Sequence, residues 1–174
     1  MAGLPMLPGV TTSASHNAPI DPRVLNLPCG AWRFGVADDW ARNVVRARSL
    51  TRVPCTPPWL KGATNWEGEI IPVIDLATWL GHPVDDTVSR HWLVGGEDHD
   101  RLALCLTGRP HFLNGRPQAA DPAALTHLPV TLRPLVRGVM PDASPHPCIV
   151  LDGPQLFESL LTDLSHFCAL PGTA

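Results

Sequence analysis

Apolar and polar positions alternate in short runs along most of this chain, and the runs are separated by turn residues. Residues 31–36 alternate around Trp32, Phe34 and Val36 and predict a strand. Ala37-Asp38-Asp39 reads as a turn, and the chain from Trp40 onward is expected to return as the second strand of a hairpin. Residues 43–48 are short and ambiguous, and 50–54 read as extended up to Pro54. Pro57-Pro58-Trp59-Leu60-Lys61-Gly62 fits a single helical turn with proline at its start and glycine at its end. Residues 69–74 predict a strand in which Pro72 implies a bulge or an unpaired ladder position. Leu76-Ala77-Thr78-Trp79-Leu80 fits a helical turn ended by Gly81 and Pro83, with Asp75 placed to cap it.

Residues 83–89 read as a polar loop. Two apolar strands follow, 91–94 and 102–106, and Gly95-Gly96-Glu97-Asp98-His99-Asp100 joins them as a hairpin. Residues 108–121 are irregular. A strand is expected around Leu135 and Val136 and another over 148–151. Asp152-Gly153-Pro154 opens a helix from Gln155 to about Phe167, with Leu156, Leu160, Leu164 and Phe167 on one face. Many short strands, two helical turns and one amphipathic helix predict a mostly β fold of one or two small barrels with the helix packed on them.

The composition agrees with short elements. Twenty prolines in 174 residues leave little room for long helices, and 44% hydrophobic residues suffice for a sizeable core. A net charge of −3 argues against a nucleic-acid partner, which calls for a basic face. No apolar run approaches the roughly 20 residues of a membrane span, and the first residues lack the pattern of a signal peptide. The expected location is cytoplasmic. Residues 1–28 mix Pro, Ser, Thr, Ala and Asn and are expected to form a flexible arm ahead of a domain over 29–167, with 168–174 as a tail; Val24-Leu25-Asn26-Leu27 is a candidate to pack on the domain.

Candidate chemistry is sparse. The five cysteines (Cys29, Cys55, Cys105, Cys148, Cys168) are odd in number and nowhere spaced as C-x-x-C, which is a poor disulfide framework and a poor zinc site. Cys105 and Cys148 sit in apolar runs and read as small buried hydrophobes. Asp98-His99-Asp100 lacks a second ligand set of recognisable spacing and reads as a solvated hairpin tip. His82, His91, Asp85 and Asp86 lie in loops that give a metal no geometric warrant. Cys55 has no local motif of a thiol nucleophile. Arg42, Arg46, Arg48 and Arg52 make a basic run whose default reading is a solvated strand face. Trp32, Trp40, Trp79 and Trp92 read as core.

Two blocks carry a family pattern. The first is Leu50-Thr51-Arg52-Val53-Pro54, then Trp59-Leu60-Lys61-Gly62, Asn65, Gly68 and Ile71-Pro72-Val73-Ile74-Asp75-Leu76. The second is Leu135-Val136-Arg137-Gly138-Val139, then Ile149-Val150-Leu151-Asp152 and Leu156. In order and separation they resemble the CheW-like adaptor domain over about residues 31–161. The resemblance implies two five-stranded SH3-like barrels packed on each other, no enzymatic activity and no cofactor. It also implies a role in coupling the cytoplasmic tips of methyl-accepting chemoreceptors to the regulatory domain of a CheA-type histidine kinase. An adaptor of a type IV pilus or twitching-motility pathway is the alternative within the class. A small β-barrel ligand-binding protein or hydrolase, which requires a pocket with convergent polar groups, and an oligonucleotide-binding barrel, which requires a positive groove, are the competitors outside it.

The chain departs from the pattern in two places. Glu67 stands where the family carries Arg before the second glycine, and Arg46 and Arg48 stand where it carries an acidic residue. An exchanged pair, Arg46 or Arg48 facing Glu67, is the resulting expectation. Leu106-Thr107-Gly108-Arg109 replaces the family's Val-Asp at the end of the middle strand. The resemblance thus points to Arg46, Arg48, Gly62, Asn65, Trp66, Glu67 and Gly68 as partner-binding residues. Gly62 and Gly68 serve tight turns or close docking, and Asn65 ties the loop or touches the partner. Trp66, in a loop expected to be exposed, is either an interface anchor or a side chain folded back on the barrel.

Overall fold

The computed structural model describes residues 23–82, 91–97, 100–141 and 147–169. Ten strands form two five-stranded sheets. The first sheet contains β1 (Val24–Cys29), β2 (Trp32–Ala37), β8 (His111–Leu113), β9 (Val136–Met140) and β10 (Cys148–Leu151) in the order β8-β1-β2-β10-β9. The second contains β3 (Ala41–Arg46), β4 (Leu60–Trp66), β5 (Glu69–Ile74), β6 (His91–Gly95) and β7 (Leu102–Leu106) in the order β3-β6-β7-β5-β4. Three α-helices, α1 (Leu76–Trp79), α2 (Pro122–Leu125) and α3 (Gly153–Ala169), and a 3-10 turn over Arg133–Leu135 complete the described elements.

The two sheets share one topology, entered at different points. In the second sheet the chain leaves the edge strand β3, and Thr51 then exchanges backbone hydrogen bonds of 2.8 Å with Ala63 on the opposite edge strand, β4. In the first sheet the chain leaves the edge strand β8, and Gln118 pairs in the same way with Val139 on β9, at 2.8 and 2.9 Å. Each return curls its sheet into a small barrel. β5 and β7 run parallel, as do β10 and β2. The amino-terminal pair β1–β2 therefore occupies in the first barrel the place that β6–β7 occupies in the second.

The two sequence blocks are the same element in the two barrels. Gly62 precedes Ala63, and a Cβ there would lie 2.4 Å from the Thr51 carbonyl oxygen; Gly138 precedes Val139, and a Cβ there would lie 2.6 Å from that of Gln118. Only glycine lets the closing segment approach this closely. After β5, Asp75 N–H donates to the Trp59 carbonyl at 2.8 Å; after β10, Asp152 N–H donates to the Leu135 carbonyl at 2.9 Å. Each aspartate then caps a helix. Asp75 accepts from Thr78 N–H at 3.2 Å and Thr78 Oγ1 at 2.7 Å, and Asp152 accepts from Gln155 N–H at 2.8 Å. Each also faces a cation beside the glycine: Lys61 Nζ at 3.6 Å from Asp75, and Arg137 Nε at 2.7 Å from Asp152.

Strand alternation divides the core. On β7, Leu102, Leu104 and Leu106 point into a core shared by both barrels, whereas Ala103 and Cys105 point into the second barrel with Trp66, Ile71, Val73, Trp92 and Val94. On β10, Ile149 and Leu151 join the shared core, whereas Cys148 and Val150 join Val24 and Met140 inside the first barrel. Strands buried on both faces read as continuous apolar runs. Leu156, Phe157 and Leu160 of α3 close the shared core, and Trp79 Nε1 donates to Asp163 Oδ2 at 2.8 Å, tying α1 to α3.

Several expectations need correction. β3 does not pair back on β2; it starts the second sheet beside β6. Leu60-Lys61-Gly62 is strand, and only Pro57 to Leu60 forms a turn, closed by Leu60 N–H to the Pro57 carbonyl at 3.0 Å. β1, Val24–Cys29, pairs with β2 and so belongs to the first sheet, and α3 continues through Cys168 to Ala169. The irregular stretch 108–121 contains β8. No register shift falls at Pro72, which pairs with Ala63; the shift in this ladder lies between Leu60 and Gly62 on β4. Trp40 and Trp92 are buried, while Trp32 and Trp79 are only partly so. Residues 1–22 of the arm expected over 1–28, the polar loop 83–89, Asp85, Asp86, Asp98, His99 and the end of the tail lie outside the described residues.

Candidate functional site

The edge strands β3 and β8 hold equivalent places in the two barrels, and both line one groove of about 410 Å³. From β3 come Val44, Val45 and Arg46; from β8 and the residues ahead of it come Arg109, Pro110, His111 and Phe112; His91 and Leu25 complete the lining. Val44 and Phe112 are large apolar side chains left 42% and 46% exposed. Isolated exposed apolar residues need no explanation, but here two flank a concavity from opposite walls.

The walls are held from behind. Arg46 pairs in register with His91, and Val44 with Leu93, which roots β3 on the shared core. β8 pairs with β1, and the buried Asn26 turns its Nδ2 to His111 Nε2 at 3.4 Å. The Arg23 guanidinium lies 4.3 Å from the Phe112 ring centroid and holds that ring from one side. At the near end of the groove, Thr107 Oγ1 donates to the Pro28 carbonyl at 3.1 Å and accepts from Gly30 N–H at 3.0 Å. These bonds join the end of β7 to the β1–β2 turn, and so join the two barrels.

The residues singled out from the sequence lie in two places. Arg46 belongs to the groove. Gly62 is buried under the closing segment, so its work is the close approach of backbone. Asn65, Glu67 and Gly68 form the exposed tip of the β4–β5 hairpin. Glu67 at φ +51° and Gly68 at φ +90° make a two-residue turn of the type I′ kind, and Asn65 Oδ1 accepts from Gly68 N–H at 3.1 Å. Trp66 is not in a loop; it ends β4, is 7% exposed and packs with Ile71 and Trp92. Arg48 lies over its ring at 5.0 Å. The exchanged charge pair is absent: among the described residues no ion pair joins Glu67 to Arg46 or Arg48.

Val44, His91, Arg109, His111 and Phe112 were not read as site residues from the sequence. The available signal was Arg109-Pro110-His111-Phe112, an aromatic residue in a polar, proline-broken stretch next to the altered Leu106-Thr107-Gly108-Arg109. A second cavity, of about 640 Å³, lies beneath the start of α3 and has a carboxylate-rich rim that includes Asp39, Glu97, Asp100 and Glu158.

Catalytic chemistry finds little support in the described residues. No group of three His, Cys, Asp or Glu side chains is gathered there to hold a metal. Burial, with Asp75 adding to it, pushes the Cys29 thiol far above the usual range, which keeps it protonated and unreactive. No described helix is long and apolar enough to cross a membrane.

Residues 23–161 match the CheW-like domain. The chain belongs to the CheW-like domain family. Among solved structures, it is similar to the scaffolding protein TtCheW from Thermoanaerobacter tengcongensis, with a TM-score of 0.63 and 20% identity over 76% of this chain and 90% of that one. That likeness establishes the fold. Among curated proteins, it is 41% identical over 51 residues to Protein FrzA of Myxococcus xanthus. The shared stretch is 29% of this chain and 32% of FrzA, so the chain spans about a third of that relative's length. The family is one of non-enzymatic adaptor scaffold proteins.

Proposed function

We propose that this CheW-like domain couples chemoreceptors to a CheA-type histidine kinase, with the β3–β8 groove as the seat for the helical cytoplasmic tip of a receptor. The observation that carries the reading is the position of the groove. It lies between equivalent edge strands of two fused barrels, and exposed Val44 and Phe112 face it from both walls. An amphipathic helix laid into an apolar groove is a recurring mode of recognition. The kinase regulatory domain docks on the second barrel, where the Asn65–Gly68 turn and Ile70 stand out from the surface.

Two separated docking faces suit a scaffold, because one partner leaves the other's site open. Co-purification from the native bacterium tests the reading, with wild type compared with Phe112→Asp and Ile70→Asp. Recovery of both a kinase and a receptor by wild type, with loss of the receptor alone in Phe112→Asp and of the kinase alone in Ile70→Asp, is the expected result. Recovery of neither by folded wild type refutes it. The similarity to a protein of Myxococcus xanthus favours a pathway of the myxobacterial kind. The identity of the co-purified kinase and receptor separates that pathway from the type IV pilus alternative.

A further inference from the structure

We propose that the β3–β8 groove selects its occupant by charge and takes an acidic amphipathic helix, one whose apolar stripe is flanked by Glu or Asp. The inference rests on the reading of the groove as a docking face and adds the chemistry of what docks there.

The groove is basic on an acidic protein. Its polar lining is Arg46, His91, Arg109 and His111, and no carboxylate lines it among the described residues. Neither Arg46 nor Arg109 makes an ion pair among the described residues. Four other guanidinium groups are ion-paired: Arg23 on Asp38, Arg42 on Glu97, Arg101 on Glu69 and Arg137 on Asp152. The chain as a whole carries a net charge of −3, and the cavity beneath the start of α3 is rimmed mainly by carboxylates, with Arg137 among them. Two arginines without a carboxylate partner among the described residues thus stand together on the walls of one apolar concavity. A partner that brings carboxylates to these exposed guanidinium groups gains charge-assisted hydrogen bonds that salt can screen.

The geometry favours a helix over an added strand. β8 is only His111–Leu113, and Pro110 stands directly ahead of it. β3 carries a register break between Ala41 and Asn43. Neither edge offers an unbroken ladder, and proline and bulges are devices that blunt strand addition. Val44 and Phe112 instead offer separate apolar contacts on the two walls, which suits residues spaced at i, i+3 and i+4 on one helix face. Arg46 on one wall and Arg109 on the other then meet the two flanks of that stripe.

The experiment uses three helical peptides with one leucine stripe, flanked by Glu, by Gln or by Lys. Each is titrated into the full chain by fluorescence anisotropy, at low salt and at half-molar salt. Backbone amide shifts at Val44 and Phe112 report where binding occurs. The Glu peptide is expected to bind roughly tenfold tighter than the Gln peptide at low salt, with the Lys peptide weakest. High salt should compress that difference. The double variant Arg46→Glu/Arg109→Glu should reverse the order, and Arg46→Gln/Arg109→Gln, a milder change at two exposed positions, should abolish it.

Equal binding of the Glu and Gln peptides, with shifts at Val44 and Phe112, overturns the selection by charge and leaves the groove as a docking face. Binding of none of the three at the groove overturns both.

Discussion

Gly153 lies so close to Trp40 that a Cβ on it would come within 2.3 Å of the indole. Gly95 approaches the other end of the same ring, with its virtual Cβ at 2.5 Å. Gly95 ends β6 in the second barrel and Gly153 starts α3 on the first, so one tryptophan from the inter-barrel crossing fills a slot with a wall from each. Through this slot the two barrels pack on each other. Gly153→Ala gains helix propensity but forces the ring to move, and overpacking of this kind costs about 1–3 kcal/mol. Urea denaturation should show a loss within that range. An unchanged midpoint would mean that Trp40 is held elsewhere.

Glu67 is, with Cys55, one of the two non-glycine residues at positive φ among the described residues. Its φ of +51° belongs to a turn that prefers Asn or Gly, and a bulkier residue there costs about 1 kcal/mol. With no arginine paired to it, little offsets that cost. Glu67→Asn is therefore expected to stabilise the protein by about 0.5–1 kcal/mol in thermal or urea unfolding. Destabilisation would reveal a folded-state contact for the carboxylate and restore the idea of an exchanged pair.

The equivalent aspartates are not equally buried. Asp75 is 6% exposed, between the barrels, and it both caps α1 and faces Lys61, whereas Asp152 lies nearer the surface. Asp75→Ala removes a cap and leaves buried donors unmatched, at a cost of about 2–3 kcal/mol. Asp152→Ala should cost about 1 kcal/mol, as for an ordinary cap. Parallel denaturation of the two variants checks the order, and a larger loss at Asp152 would contradict it.

Thiol reactivity should divide the five cysteines. Cys55 and Cys168 are exposed, while Cys29, Cys105 and Cys148 are buried. A neutral alkylating reagent at pH 8 should modify the first two quickly in the native protein, and the other three only in denaturant. Mass spectrometry of the peptides reads this directly. Rapid native modification of Cys29 would show that the shared core opens.

The strands with one face in a barrel and clear turn signals on both sides were legible in the sequence: β2, β5, the β6–β7 hairpin and β10. The Asp75 cap and the helix after Asp152 were legible for the same local reason. What failed depended on partners distant in the chain. β1 contains Asn26 and Pro28 and is buried along nearly its whole length, so it shows no alternation. The Ala37-Asp38-Asp39 turn announced a change of direction, yet nothing local says that β3 enters a different sheet. Trp66 was placed beside the bend because Asn65 and Gly68 flank it, and its burial against Ile71 and Trp92 follows only once β5 and β6 are assembled.

The site followed the same division. The hairpin tip at Asn65–Gly68 was visible as a motif. The groove was not, because Val44 and Phe112 come from strands on two separate sheets, and nothing in either local sequence places them on one concavity.

The most direct test of the adaptor account is a titration of the purified chain with the cytoplasmic tip fragment of a chemoreceptor from its own organism, followed by calorimetry. Wild type should bind, and Val44→Asp/Phe112→Asp, folded by circular dichroism, should lose at least about 2 kcal/mol of binding energy, or more than tenfold in affinity. Equal affinity in the folded variant would place the receptor elsewhere, and no binding by wild type would contradict the coupling role itself.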